Sequence, residues 1–130
     1  MRRQLSNIAF VFSMDEIFRT SLMNSLDVLN MESCGLEELH LQAVRSILER
    51  RIHPALILID LDGQTGDIAD TVGKLRLGNL GIPIVTMGAD KRELAEVLPI
   101  SDVTLEKPFK LEHFLDEVRK VLVSPESGDT

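Results

Sequence analysis

Tryptophan and tyrosine are absent from these 130 residues, and phenylalanine occurs only five times. Without the two amphipathic aromatics, the chain lacks the side chains that most often anchor binding hot spots or stack nucleic-acid bases. A single cysteine, Cys34, excludes an intrachain disulfide and suits a reducing compartment. Its expected role is that of a small apolar filler. The three histidines, His40, His53 and His113, are scattered with no HExxH or CxxC companion, so surface or capping roles are expected and no zinc site is indicated. Positive charge is also in deficit. Fourteen Lys and Arg against 21 Asp and Glu give a formal net charge of −7, which disfavours nucleic acid and anionic membranes as partners and favours proteins. No apolar stretch reaches spanning length, and Met1-Arg2-Arg3-Gln4 leads into polar Ser6-Asn7 instead of a secretory apolar region. These absences lead to the expectation of a soluble, cytoplasmic protein.

What is present is an alternation of apolar runs and amphipathic stretches. Strands are expected over Ile8–Phe12, weakly near Leu36–Leu41, and over Ala55–Ile59, Ile82–Met87 and Asp102–Leu105. Helical spacing follows each in turn, over Asp15–Leu29, Gln42–Arg51, Ile68–Leu77, Lys91–Leu98 and Leu111–Leu122. Five strand–helix pairs imply an α/β fold with a doubly wound parallel sheet. Phe18, Leu22, Leu26 and Leu29, like Leu111, Phe114, Leu115, Val118 and Leu122, form stripes that read as core. Punctuation agrees: Ser13-Met14-Asp15-Glu16 is a capping-box pattern, Gly81-Ile82-Pro83 opens a strand, and Lys107-Pro108 interrupts the chain before the last helix. One domain over residues 1–123 with a polar tail over 124–130 is expected.

Asp60 ends the run Ala55-Leu56-Ile57-Leu58-Ile59. An apolar run without alternation reads as a strand buried on both faces, and a charge at its carboxyl end lies where open α/β sheets place their sites. Strands ending near residues 12, 60, 88 and 107 would gather Phe12, Ser13, Asp60, Asp62, Gly88 and Lys107 at one crevice. No glycine-rich turn follows the first strand to admit a pyrophosphate, and a P-loop is missing likewise. Ser13 has no GxSxG elbow, so it reads as a helix cap and not as a nucleophile. A phosphatase or a cofactor-binding enzyme of the same topology would need a second catalytic base or a glycine-rich loop, and the chain supplies neither. The expectation is a protein that is not an enzyme.

Three segments, Pro54-Ala55-Leu56-Ile57-Leu58-Ile59-Asp60-Leu61, Ile82-Pro83-Ile84-Val85-Thr86-Met87-Gly88-Ala89 and Leu105-Glu106-Lys107-Pro108-Phe109, resemble the third, fourth and fifth strands of two-component response-regulator receiver domains. The resemblance runs from Ile8 to Val123. It implies a five-stranded sheet of flavodoxin-like order 2-1-3-4-5. It also implies that Asp60 is the phosphoacceptor of a histidine kinase, with Lys107 and the amide of Ala89 as contacts to the phosphoryl oxygens.

Three elements depart from that pattern. The acidic pair that holds Mg²⁺ falls on Phe12 and Ser13, the switch hydroxyl falls on Gly88, and the fifth-strand aromatic falls on Thr104. Asp60 and Asp62 remain as weak candidate Mg²⁺ ligands, and no other cofactor is expected. With fewer carboxylates to hold it, Lys107 is expected to pair directly with Asp60. Two readings therefore stand: an atypical receiver working mainly through protein contacts with weak or absent phosphorylation, and a conventional receiver with a rearranged metal site.

The partners implied by the resemblance are an output domain, a histidine kinase or another signalling protein, with homodimerisation as a candidate. Contacts would fall on the face that includes Lys91, Arg92, Glu93, Glu96, Thr104, Asp116, Arg119 and Lys120. The family also predicts a cis bond between Lys107 and Pro108.

Overall fold

A computed structural model describes residues 7–40, 42–43, 45–46, 53–78 and 81–122. Five strands, β1 (Ile8–Phe12), β2 (Glu32–Leu36), β3 (Leu56–Asp60), β4 (Ile84–Gly88) and β5 (Val103–Glu106), form one sheet of order β2-β1-β3-β4-β5. Every neighbouring pair is parallel. Four helices have both bounds among the described residues, α1 (Glu16–Leu26), α2 (Ile68–Gly78), α3 (Lys91–Val97) and α4 (Leu111–Leu122), and residues 42–43 and 45–46 are also helical. Most of the expected helix Gln42–Arg51 and the whole of the tail Ser124–Thr130 lie outside the described residues. Among the described residues, no helix is long and apolar enough to cross a membrane.

Side chains on a strand alternate between faces, and that period of two sorts the core into two clusters. Phe10, Phe12, Ile57, Ile59 and Ile84 pack with Val72 and Leu75 of α2 and Leu94 and Val97 of α3. Ala9, Val11, Leu56, Leu58, Val85 and Met87 pack on the other face with Leu22 and Leu26 of α1 and Phe114 and Val118 of α4. Both central strands, β3 and β4, are buried at every position, as apolar runs without alternation require. At about 25 cal/mol per Å² of apolar surface removed from water, this double-sided burial is the main force holding the sheet.

Three expectations need correction. The second strand is not Leu36–Leu41 but Glu32–Leu36. It is an edge strand with no fully buried residue, fixed by its backbone ladder to β1, from Ile8 opposite Glu32 to Phe12 opposite Leu36. The apolar signal further along comes from Leu39, which is buried in the loop after the strand. Cys34 lies on that edge strand and is exposed, so it is not a core filler. In α4, Leu111 is 46% exposed and leaves the stripe that the rest of the helix buries.

Smaller shifts occur at element ends. The α-helical part of α1 stops at Leu26, and a single 3-10 turn, Asp27–Leu29, closes on Asn30 in the left-handed region at φ 58°. The bond between Lys107 and Pro108 is cis. His40, His53 and His113 are all exposed, and His40 Nδ1 accepts a hydrogen bond from the amide of Ala43 at 3.2 Å.

Candidate functional site

Asp60 is the last residue of β3, on the same side of the sheet as Leu56 and Leu58, and its side chain is fully buried. An isolated carboxylate there would be strongly disfavoured, so its partners define the site. One oxygen, Oδ2, accepts from the Ser13 hydroxyl at 2.8 Å. The other, Oδ1, accepts from Lys107 Nζ at 2.9 Å and from the Asp62 amide at 3.1 Å.

Ser13 follows β1, and its odd position puts it on the Asp60 face, whereas Phe12 turns into the opposite core cluster. The capping expectation for Ser13 is thus overturned. The N-cap of α1 is Asp15, whose side chain accepts from the Phe18 amide at 3.1 Å. The Ser13 hydroxyl in turn accepts from the Asp15 amide at 3.2 Å, and the Ser13 carbonyl accepts from Arg19 Nη1 at 2.7 Å. Sequence reasoning missed this role because Ser13-x-x-Glu16 also fits a capping box. The strand parity it shares with Asp60's face was the signal available.

Lys107 follows β5, and its backbone amide donates to the Gly88 carbonyl at 2.9 Å, which aims the chain across the end of β4. Its ammonium lies between two carboxylates, 2.9 Å from Asp60 Oδ1 and 3.0 Å from Asp62 Oδ2, and 4.0 Å from the Phe18 ring centroid. Phe18 meets Phe109 edge-on at 6.1 Å, and Phe109 stacks on Phe114 at 6.2 Å. This aromatic row braces the apolar side of the lysine and adds cation–π attraction. Burial pulls the Lys107 pKa down, but hydrogen bonds to Asp60 and then Asp62, with the attraction of both charges, outweigh it and hold the group above its ordinary value.

Asp62 has a second attachment. Its Oδ1 and Oδ2 accept from the Ala89 amide at 3.1 and 3.2 Å. The donor expected to face a phosphoryl oxygen is therefore turned onto an internal carboxylate. Gly88 lies beside it, and a Cβ built there would meet Asp62 Oδ1 at 3.3 Å. The crevice thus brings together Ser13, Asp60, Asp62, Ala89 and Lys107, with Gly88 at its wall. Phe12 is in the core. Thr104, half-buried on β5, lines a separate open groove with Lys91, Leu94, Ala95, Leu98 and Glu106.

The residues present do not fit Mg²⁺, which favours a near-octahedral shell of oxygens. The Phe12 side chain offers none, and the carboxylates of Asp60 and Asp62 both converge on the Lys107 ammonium. Among the described residues, no group of three or more His, Cys, Asp or Glu is placed to hold a metal. The expected contact face is also divided. Glu93 and Glu96 line a cavity toward α2 with Asp67, apart from the groove that holds Lys91 and Thr104. Of the other charges on that face, Arg119 pairs with Asp116 at 3.3 Å and Lys120 with Glu117 at 3.2 Å.

No protein-family model and no curated protein matches the chain. Solved structures match it by shape. The signal receiver domain of a response regulator from Bermanella marisrubri superposes with a TM-score of 0.75 at 21% identity, over 91% of this chain and 99% of that one. A CheY-like receiver domain protein from Methanospirillum hungatei JF-1 gives 0.77 at 14% identity, over 92% and 94% of the two chains. The beryllofluoride-activated NtrC4 receiver domain, described as a dimer, gives 0.73 at 18% identity, over 89% and 96%. In strand order and in shape, the chain has the fold of response-regulator receiver domains.

Proposed function

We propose that this chain is an atypical receiver domain of two-component signal transduction, acting through protein contacts with weak or absent phosphorylation of Asp60. The observation that carries this reading is the state of the Asp60 carboxylate. It is fully buried, with Oδ2 held by the Ser13 hydroxyl and Oδ1 by the Asp62 amide. Phosphoryl transfer needs an oxygen free to attack in line and positive charge placed against the transferring group. A metal ion usually supplies much of that charge, and the side chains at positions 12 and 13 here are a core phenylalanine and a hydroxyl already bonded to Asp60.

In this reading the chain is not an enzyme, has no resident cofactor and works in the cytoplasm. Its partners are proteins: an output domain, a histidine kinase, another signalling protein or a second copy. Binding would use the face of α3, β5 and α4, where Leu98 is 58% exposed beside the open groove containing Thr104. Purified protein incubated with acetyl phosphate and Mg²⁺ is expected to keep its intact mass. Stoichiometric addition of a phosphoryl group to Asp60 would overturn the reading.

One observation favours the second reading, a conventional receiver phosphorylated on Asp60 by a histidine kinase. Lys107 stands 2.9 Å from Asp60, the relation expected between an acceptor and its phosphoryl-binding lysine. That alternative requires Mg²⁺ binding to accompany the mass gain.

A further inference from the structure

We propose that the Asp62 carboxylate is a built-in occupant of the oxyanion position in the crevice, and that Gly88 is the residue that admits it. This deepens the atypical-receiver reading and rests on it.

Two donors from separate parts of the fold converge on this one side chain. The Lys107 ammonium, beyond β5, lies 3.0 Å from Oδ2, and the Ala89 amide, beyond β4, lies 3.1 and 3.2 Å from the two oxygens. A charged donor and a backbone N–H directed at one point form a site for an anionic oxygen. Here the anion belongs to the chain itself, two residues past Asp60. Covalent attachment gives it a high effective concentration, so an oxyanion from solution must compete with a tethered carboxylate.

Gly88 supports the same conclusion independently. Its φ lies outside the left-handed region, so backbone conformation does not demand glycine there. What a side chain would meet is Asp62 Oδ1, 3.3 Å from an added Cβ, with Leu61 Cβ at 3.5 Å. The missing hydroxyl and the inserted carboxylate are thus two sides of one arrangement. Its effect is to tie the β4–α3 connection to the β3–α2 connection without any ligand.

The test uses the full chain, inorganic phosphate as probe, and the backbone NMR signal of Ala89 as readout. In the wild-type chain, phosphate is expected to leave the Ala89 amide unmoved. In Asp62→Ala the same titration should move it, with an affinity gain on the order of a hundredfold. Equal phosphate affinity in the two chains, or a folded Asp62→Ala with no response at Ala89, overturns the inference.

Should Asp62→Ala fail to fold, Gly88→Val in the otherwise native chain takes its place. A branched apolar side chain whose Cβ lies 3.3 Å from Asp62 Oδ1, and which offers it no donor, is expected to push the carboxylate from the Ala89 amide and lower the hydrogen-exchange protection of that amide, and unchanged protection overturns the inference. Intact mass after acetyl phosphate is read in parallel. A mass gain on Asp60 in the wild-type chain overturns the proposed function. An unmodified wild type together with a silent Ala89 in Asp62→Ala overturns only the role given to Asp62.

Discussion

At the scale of the residue, the pair of Asp60 and Lys107 is asymmetric. Asp60 is fully buried, whereas the Lys107 side chain is 20% exposed and has Asp62 as a second partner. Removing the lysine leaves a buried charge with only the Ser13 hydroxyl and the Asp62 amide, so Lys107→Met is expected to cost about 3 to 5 kcal/mol. Asp60→Asn leaves the lysine paired with Asp62 and should cost about 1 kcal/mol. Urea unfolding followed by circular dichroism measures both, and equal losses would contradict the asymmetry. Because the Lys107 pKa is raised in the fold, the stability it contributes is complete below the ordinary lysine value of 10.5 and disappears as pH rises through the folded value. The gap between wild type and Lys107→Met should therefore hold near neutrality and narrow only in strong alkali. Asp60 and Lys107 were legible in the sequence because each closes an apolar run. Asp62 was placed in the crevice as well, but its hold on the Ala89 amide and Lys107 was not legible, since it depends on an approach to residue 89 that only the folded chain creates.

Elements tell a similar story at the opposite end of the sheet. Arg76, on α2, donates through Nε to the Ile100 carbonyl at 3.3 Å, through Nη1 to the Ile82 carbonyl at 2.9 Å, and through Nη2 to Asp102 Oδ2 at 2.5 Å. The same carboxylate oxygen accepts from the Ile84 amide at 2.8 Å. One guanidinium thereby clamps the entries to β4 and β5 against α2. A lysine cannot reproduce this planar, forked geometry. Arg76→Ala is expected to cost about 2 kcal/mol and Arg76→Lys to recover little of it. A lysine variant with wild-type thermal stability would rule out the clamp. Strands β3 and β4 could be read from sequence because burial on both faces leaves an unbroken apolar run. The edge strand β2 could not, because Glu32-Ser33-Cys34-Gly35-Leu36 has little to bury and its register is set by hydrogen bonds to β1.

For the whole molecule, the formal net charge is −7, and Glu93 lies close enough to Asp90, Asp62 and Glu96 to feel their charge. Burial, then the charges of Asp90, Asp62 and Glu96, raise the pKa of Glu93. A carboxyl raised in the fold holds its proton more tightly folded than unfolded, so its ionised form is a cost at neutral pH. Glu93→Gln should stabilise the chain by about 0.3 kcal/mol at pH 7, a small value because the group is largely solvated. That gain should vanish as pH falls through the raised value. Thermal unfolding of both chains across the acid range measures it, and a gain that persists in acid would assign the effect to packing. The layered fold was legible at this scale from the alternation of runs and stripes. The division of the α3 surface was not, since Lys91 and Glu93 are two residues apart yet line different hollows.

Gln64 joins parts of the molecule that the sheet keeps separate. Its Oε1 accepts from the Leu39 amide at 2.8 Å, while its Nε2 donates to the carbonyls of Glu37 at 3.0 Å and Asp60 at 3.4 Å. Strands β2 and β3 never touch as neighbours, because β1 lies between them. The side-chain amide behaves as one additional peptide unit, vaulting the end of the intervening strand like the keystone of an arch. The acidic end of β3 and the loop leaving the sheet's edge are therefore fastened to each other by one side chain, and Gln64→Ala would cut all three of these hydrogen bonds at once.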